Sequence, residues 1–153
     1  MFRYLAVLLL MVMCIGGCAV YPDLNQERLD SLPQRYEKFD AVLAWEVRDA
    51  GAETIIDGEF KNVRYAYMED VEVWVEVQDP AGKRVARGVG FVIPQLLPQD
   101  EVAPFTVKLP VRAVPGTKLQ FTYKYKGLDG GSDGGGFVGP WMQSFDAVVP
   151  DRK

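Results

Sequence analysis

The alternation of side chains between residues 71 and 78 narrows the possible folds of this chain more than any other feature. Every second position there is a valine, and the positions between hold acidic residues or a tryptophan: Val71, Val73, Val75 and Val77 against Glu72, Trp74 and Glu76. Successive side chains of a β-strand point to opposite faces, and β-branched valine packs well on a pleated surface. The segment therefore predicts a strand with one buried face, which ends at the turn sequence Asp79-Pro80-Ala81-Gly82.

The same period of two recurs along most of the chain after residue 40. Two further segments, 105–111 and 119–125, alternate clearly, and weaker patterns predict strands at 41–48, 54–65, 84–93 and 137–148. Prolines and glycines separate these segments, and none of them has a helical period. About seven short strands joined by turns predict an all-β chain, an immunoglobulin- or fibronectin-like antiparallel β-sandwich. An antiparallel barrel is the main alternative.

The N-terminal residues have the organisation of an export signal. Residues 5–15 are all apolar, and Gly16-Gly17-Cys18 follows them. This run is shorter than the roughly 20 apolar residues that a membrane-spanning helix needs, and its length is typical of a signal peptide. The sequence Ile15-Gly-Gly-Cys18 resembles the lipobox of bacterial lipoproteins. That resemblance implies that residues 1–17 are removed and that Cys18 carries the lipid; an ordinary secretory signal with an incidental cysteine is the alternative.

A lipid on Cys18 implies a location and a domain organisation. Ala19 occupies the position where aspartate commonly retains Gram-negative lipoproteins in the inner membrane. The expected location is therefore the bacterial cell envelope, lipid-anchored on the outer membrane and facing the periplasm. Residues 18–40 are predicted to be a lipidated N-terminus and tether, with a short possible helix around residues 30–39. Residues 41–149 are predicted to form the sandwich, without disulfides because the only other cysteine is Cys14.

Part of the strand pattern resembles a known family. The matching features are a glycine-to-asparagine segment (Gly58 to Asn62), the strand ending in Asp79 with Gly82 behind it, and Leu97-Pro98 followed by Glu101, Phe105 and Val107. This pattern is similar to the bacterial FxLYD domain, although the naming motif is replaced by Val75-Glu-Val-Gln-Asp79. A similar pattern occurs in the water-stress (WHy, LEA14-like) domains. Both resemblances imply a β-sandwich without a known reaction, and they mark Asn62, Asp79 and Gly82 as structural turn residues.

The residue inventory argues against catalysis. The chain has no histidine, and its serines are Ser31, Ser132 and Ser144. No Ser-His, Cys-His or His-metal site can be assembled from these residues. Two carboxylates would suffice for glycoside hydrolysis, but Glu69-Asp70 is typical of a solvated turn. We therefore expect no enzyme activity and no cofactor, and the interspersed charges predict no nucleic-acid partner.

A glycine-rich segment at 127–136 contains Asp129 and Asp133, whose carboxylates could bind calcium. It lacks the ligand spacing of an EF-hand loop, so a flexible hairpin and no metal site are predicted.

Trp74 carries the main functional hypothesis. It lies on the polar face of its strand, where it either packs among glutamate and lysine side chains, with Lys124 and Lys126 on a neighbouring strand, or joins Tyr65 and Tyr67 in an exposed aromatic surface. The expected function is a non-catalytic, membrane-anchored envelope lipoprotein that acts as a protein-interaction or structural module for an envelope protein. The alternative is a glycan- or peptidoglycan-binding accessory lipoprotein that uses these aromatics.

Overall fold

The computed structural model describes residues 23–129 and 136–151. Within them a helix, α1 (Leu24–Ser31), precedes nine strands: β1 (Gln34–Glu37), β2 (Ala41–Asp49), β3 (Thr54–Asn62), β4 (Tyr67–Gln78), β5 (Arg84–Phe91), β6 (Leu96–Leu97), β7 (Val102–Leu109), β8 (Lys118–Asp129) and β9 (Gly136–Val148). The seven predicted strands are all present, as β2 to β5 and β7 to β9. β1 and β6 are short additions.

The strands form two antiparallel sheets whose inner faces share one core. Sheet A has the order β1-β2-β3-β7, and sheet B has the order β5-β4-β8-β9 with β6 as an extra partner of β4. The chain crosses between the sheets after β3, after β6 and after β7. The four valines of β4 point into the core, where they meet aromatic and aliphatic side chains of both sheets. The predicted immunoglobulin- or fibronectin-like antiparallel β-sandwich is therefore confirmed.

The two open sides of the sandwich are closed differently. On one side β5 lies against β7, and a Cβ added at Gly90 would be 2.3 Å from the carbonyl oxygen of Thr106. Only glycine permits this approach, since an added methyl group would overlap the backbone of β7. On the other side Tyr36 of β1 stacks on Phe145 of β9, with ring centroids 3.7 Å apart. An aromatic contact thus joins the edges of the two sheets.

Residues 24–37 pack against the sandwich, so the predicted tether over 18–40 is wrong for this part; residues 18–22 lie outside the described residues. α1 lies on the outer face of sheet A, where Leu29 packs with Val42, Ala44 and Val102. The side chain of Asp23 caps the first turn of the helix. The predicted helix at 30–39 is wrong. The helix ends at Ser31, because Pro33 favours an extended backbone at the residue before it, Leu32. Residues Gln34–Glu37 pair with β2 instead.

The predicted signal peptide at 1–17 and Cys18 lie outside the described residues. Among residues 23–129 and 136–151, no helix has both the length and the apolar character required to cross a bilayer.

Candidate functional site

β4 of sheet B contains a β-bulge. The pairing of β4 with β8 shifts register between Glu69 and Glu72, and Asp70 has a left-handed backbone with a φ of 52°. Two hydrogen bonds attach the β5–β6 connection to the bulge: Asp70 N donates to Gln95 O over 2.8 Å, and Val92 N donates to Val71 O over 3.0 Å. Bulges bend a strand and redirect its side chains. This one lies beside a groove.

The groove has a volume of about 680 Å³ and crosses the outer face of sheet B. Phe91 and Ile93 line its β5 end, Pro140 of β9 lines the opposite end, and charged side chains of β4 and β8 lie between them. Phe91 is 60% exposed and Ile93 is 69% exposed. Large apolar side chains that remain exposed beside a concave surface are typical of an interaction site. The groove can therefore accept an apolar group at its β5 end.

Two ion pairs lie in the middle of the groove. Lys124 Nζ is 2.9 Å from Glu72 Oε2, and Lys126 Nζ is 2.7 Å from Asp70 Oδ2. The hydrogen bond to Asp70 raises the pKa of Lys126 above its ordinary value. Exposed pairs of this kind contribute little to stability. Their polar atoms can therefore exchange partners with the backbone or side chains of a ligand at low cost.

Trp74 lies one row away from the groove and is covered by charged side chains. Its Nε1 donates to Glu72 Oε2 over 2.8 Å. The Arg87 guanidinium carbon lies 4.5 Å from the ring centroid and Lys124 Nζ lies 5.3 Å from it. These distances are those of cation–π contacts. Two arrangements were predicted for Trp74. The structure has the one in which Trp74 packs among glutamate and lysine side chains.

Tyr65 and Tyr67 do not join Trp74 in one surface. Tyr65 is 90% exposed in the β3–β4 connection, and Tyr67 is also exposed at the first residue of β4. Tyr67 and Trp74 are seven residues apart along β4, which is roughly 20 Å at the rise of a β-strand. Glu69 and the groove residues Asp70 and Glu72 lie between them. Tyr65, Tyr67 and Trp74 therefore do not form a continuous stacking platform.

The turn residues singled out from the sequence hold the loops together. Asn62 is fully buried, and its Nδ2 donates to the carbonyl oxygens of Ala66 and Leu97, over 2.8 and 2.9 Å. Its Oδ1 accepts from Arg64 N over 2.8 Å. This side chain therefore fixes the β3–β4 connection against the end of β6.

Asp79 and Gly82 form the β4–β5 turn. Asp79 Oδ1 accepts from the backbone amides of Ala81 and Lys83, each over 2.9 Å. Gly82 has a φ of 80°, a left-handed conformation that glycine adopts without steric cost.

No cluster of three metal-ligating side chains occurs in the part of the chain that the structure describes. Asp129 is the last residue of β8, and Asp133 lies outside the described residues, so the predicted absence of a calcium site in this loop stays a prediction.

Sequence reasoning missed the groove and its apolar end. Phe91 could have been found, because Arg87, Val89 and Phe91 alternate onto the outer face of sheet B opposite Glu76, Trp74 and Glu72. The bulge could not, because Glu69-Asp70 also fits a solvated turn and no residue there requires a left-handed backbone.

No protein-family model and no curated protein matches the chain. Among solved structures, the GAE domain of GGA2p from Saccharomyces cerevisiae is similar at 10% sequence identity and a TM-score of 0.47, over 78% of this chain and 100% of that chain. This similarity carries no inference about function. The FxLYD resemblance likewise remains a prediction beyond the shared β-sandwich.

Proposed function

We propose that this protein is a non-catalytic, membrane-anchored module of the bacterial cell envelope, and that its groove on sheet B binds an extended segment of a partner protein. The observation that carries the proposal is the exposure of Phe91 and Ile93 beside a groove of about 680 Å³. Burying two such side chains contributes roughly 1.5–3 kcal/mol each. That is enough for a specific contact when hydrogen bonds accompany it.

The charges of the groove favour a peptide segment as the ligand. Lysine and carboxylate groups alternate along its middle, in the pairs Lys124–Glu72 and Lys126–Asp70. A peptide backbone offers both amide donors and carbonyl acceptors at regular spacing, so it can satisfy both kinds of group. Its apolar side chains can contact Phe91 and Ile93 at the β5 end. A polyanionic ligand fits less well, because a carboxylate lies beside each lysine.

Anchoring through Cys18 is the second part of the proposal. It rests on the apolar run at 5–15 and on Gly16-Gly17-Cys18. Only residues 19–23 separate Cys18 from α1, and five extended residues span at most about 18 Å. A lipid on Cys18 would therefore hold the domain close to the bilayer. It would place the α1 side of sheet A nearer the membrane and the groove of sheet B on the far side.

The glycan-binding alternative receives less support from the geometry. Sugar rings stack on exposed aromatic faces, and the ring of Trp74 is covered by Arg87 and Lys124. Tyr65 and Tyr67 remain exposed, but they lie at one end of β4, away from Trp74. Sedimentation of the protein with purified cell-wall sacculi, abolished by Tyr65→Ala, would favour this alternative.

Photo-crosslinking in living cells tests the groove directly. A photoreactive amino acid is placed at Phe91 in the full chain, and crosslinked proteins are identified by mass spectrometry. The matched control is the same amino acid at Val85, which is 56% exposed on the same strand and does not line the groove. We expect one defined envelope protein to crosslink at 91 and not at 85.

A substitution in the groove completes the test. Ile93→Asp places a charge at the apolar end, and it should abolish the crosslink from position 91 while Val85→Asp leaves it intact. Equal crosslinking from 91 and 85, or a crosslink that survives Ile93→Asp, would contradict the proposed groove.

A further inference from the structure

β9 forms one long edge of sheet B. It pairs with β8 over its whole length, and no strand among residues 23–129 and 136–151 pairs with its other edge. At the opposite side of the sheet, β5 lies against β7 through Gly88 and Gly90. The edge of sheet A next to β9 is β1, which has four residues and carries the ion pair Arg35–Glu37. β9 is thus the longest edge that the described part of the sandwich leaves open.

From Trp141 onward, β9 lacks most of the features that protect an edge strand. Natural edges are blocked by lysines, prolines, bulges or short length. Pro140 and the register shift between Lys126 and Gly127 interrupt the first part of β9. From Trp141 to Val148 the strand has no proline and no lysine, and Asp146 is its one charge. Met142 is 66% exposed and Val148 is 54% exposed on the outer face. This segment is open to strand pairing.

A second copy of the same segment is complementary to it in one antiparallel register. Directly opposed residues in an antiparallel pair have their side chains on the same face of the sheet. A two-fold axis that relates two copies of one strand therefore lies midway between two copies of the same residue, and we call it an axis through that residue. An axis through Ser144 would oppose Met142 to Asp146, and an axis through Asp146 would oppose the two Asp146 carboxylates. An axis through Phe145 opposes Met142 to Val148 of the second copy. It also opposes Ser144 to Asp146 of the second copy. The Ser144 hydroxyl shares a hydrogen bond with Thr122 over 2.8 Å, and when Thr122 donates there, Ser144 can donate to that carboxylate.

We propose that the protein forms a homodimer in which two β9 strands pair antiparallel about a two-fold axis through Phe145. The two B sheets then become one continuous eight-stranded sheet across the pair, in addition to the two short β6 strands. The axis is perpendicular to this sheet, because opposed residues share a face. Both grooves therefore lie on one side of the dimer, and both α1 helices lie on the other.

The arrangement is compatible with two anchors in one membrane. Both α1 helices lie on the same side of the dimer, so a lipid on each Cys18 could enter the same bilayer. This last point rests on the proposed anchoring at Cys18, whereas the pairing of β9 does not.

Disulfide trapping tests the pairing and its register. Two full chains are made with Cys14 and Cys18 replaced by serine; one carries Ser144→Cys and the other Asp146→Cys, with tags of different mass. Cα atoms of directly opposed residues lie about 4.5–5.5 Å apart, within the range of a disulfide. We expect the mixture, in detergent micelles under mild oxidation, to form the mixed disulfide. Ser144→Cys alone should not crosslink efficiently. Efficient self-crosslinking of Ser144→Cys, or no mixed disulfide, would overturn the proposed register.

Sedimentation of the full chain in detergent tests the dimer itself. Met142→Lys with Val148→Lys removes both apolar cross-strand pairs, and we expect the dimer dissociation constant to rise by about tenfold or more. Val85→Lys is the matched control, since Val85 is 56% exposed and lies on β5, at the opposite edge of sheet B. A wild-type chain that stays monomeric at all concentrations would overturn the dimer while leaving the groove proposal standing. Equal effects of the β9 and control variants would also overturn it.

Discussion

Asp40 is fully buried between β1 and β2, and two tyrosine hydroxyls hydrogen-bond to its carboxylate. Tyr123 Oη donates to one oxygen over 2.8 Å, and Tyr125 Oη donates to the other over 2.9 Å. Burial, followed by the hydrogen bond to Asp40, raises the pKa of Tyr123 far above its ordinary value. Burial also raises the pKa of Tyr125, to about 12, against the opposing effect of Arg64. Both hydroxyls therefore stay protonated and keep their donor role at physiological pH.

The first prediction concerns this buried network. Tyr123→Phe removes one donor from Asp40 and leaves a buried carboxylate oxygen without that hydrogen bond, so the free energy of unfolding should fall by about 1–3 kcal/mol. Urea unfolding followed by tryptophan fluorescence measures the change. Tyr65→Phe is the control, because an exposed hydroxyl should alter stability by no more than about 0.5 kcal/mol. Equal stability of the two variants would mean that the network contributes nothing.

Glu59 is the other buried carboxylate, and it lies beneath α1. Its Oε1 accepts from Arg28 Nη1 over 2.8 Å, while its Oε2 has no hydrogen-bond partner among the described residues. Burial raises the pKa of Glu59 above its ordinary value of 4.5. Arg28 partly opposes this rise, and Asp23 adds to it. Ionisation of Glu59 in the folded state therefore lowers the free energy of unfolding.

The second prediction follows from the sign of that shift. A carboxyl with a higher pKa in the folded state binds protons more tightly when folded, so its contribution to the free energy of unfolding falls as pH rises from its ordinary pKa through the folded one. Glu59→Gln lacks this decline. Its stability relative to wild type should therefore improve between about pH 4 and neutral pH. Urea unfolding across this range measures the difference.

An exposed substitution serves as the control for this pH dependence. Glu53→Gln makes the same chemical change in the exposed β2–β3 turn, and the improvement with pH should be larger for Glu59→Gln. A Glu59→Gln variant that loses stability relative to wild type as pH rises would contradict the assignment.

Contacts between residues could be predicted from the sequence only where alternation along a strand determines which face of the sheet each side chain occupies. Trp74 among glutamates and lysines followed from the period of two, and Lys124 is opposite Glu72 as a neighbouring antiparallel strand requires. Asp40 and Glu59 could not be predicted as buried, because the surroundings that bury them come from β8 and from α1. Contacts between residues far apart in sequence leave no local pattern.

At the scale of elements, β5 has small residues wherever it faces the core. Ala86, Gly88 and Gly90 are opposite Val77, Val75 and Val73 of β4. A Cβ at Gly88 would lie 2.3 Å from the carbonyl oxygen of Lys108, which mirrors the close approach at Gly90. These small side chains allow β5 to close one side of the sandwich against β7.

The third prediction is that Gly90→Ala separates these strands. The added methyl group must displace the β7 backbone, and overpacking of this kind costs about 1–3 kcal/mol. Thermal unfolding measures the loss. Gly136→Ala is the matched control, because a Cβ at Gly136 would meet no atom of the described residues within 4 Å. Equal melting temperatures for the two variants would show that β5 and β7 can separate freely.

The elements could be predicted from the sequence to different degrees. The central residues of the strands with clear alternation lie where the sequence predicts them, because one buried face imposes the period of two. α1 and β1 were assigned to a tether, since their segment is polar and short. A sign of their packing lies in β2: Ala41-Val-Leu-Ala-Trp45 is apolar at every position, and all five residues are buried because α1 covers the outer face. A continuous apolar run indicates a strand covered on both faces.

At the scale of the whole molecule, two opposite surfaces have different roles in our proposal. α1 occupies the outer face of sheet A and follows the N-terminal residues that contain Cys18. The groove lies on the outer face of sheet B, on the far side of the core. The sandwich itself was predictable, whereas the groove depends on a backbone bulge and the anchor depends on residues outside the described ranges. The membrane anchor is therefore the central claim that most needs measurement.

Intact mass and membrane fractionation of the native protein, beside Cys18→Ser expressed in the same way, test that claim most directly. Our account predicts that the wild-type protein loses residues 1–17, carries acyl chains on Cys18 and fractionates with the outer membrane, while Cys18→Ser leaves that fraction. A wild-type protein that shows simple cleavage without added lipid and stays in the soluble fraction would contradict it.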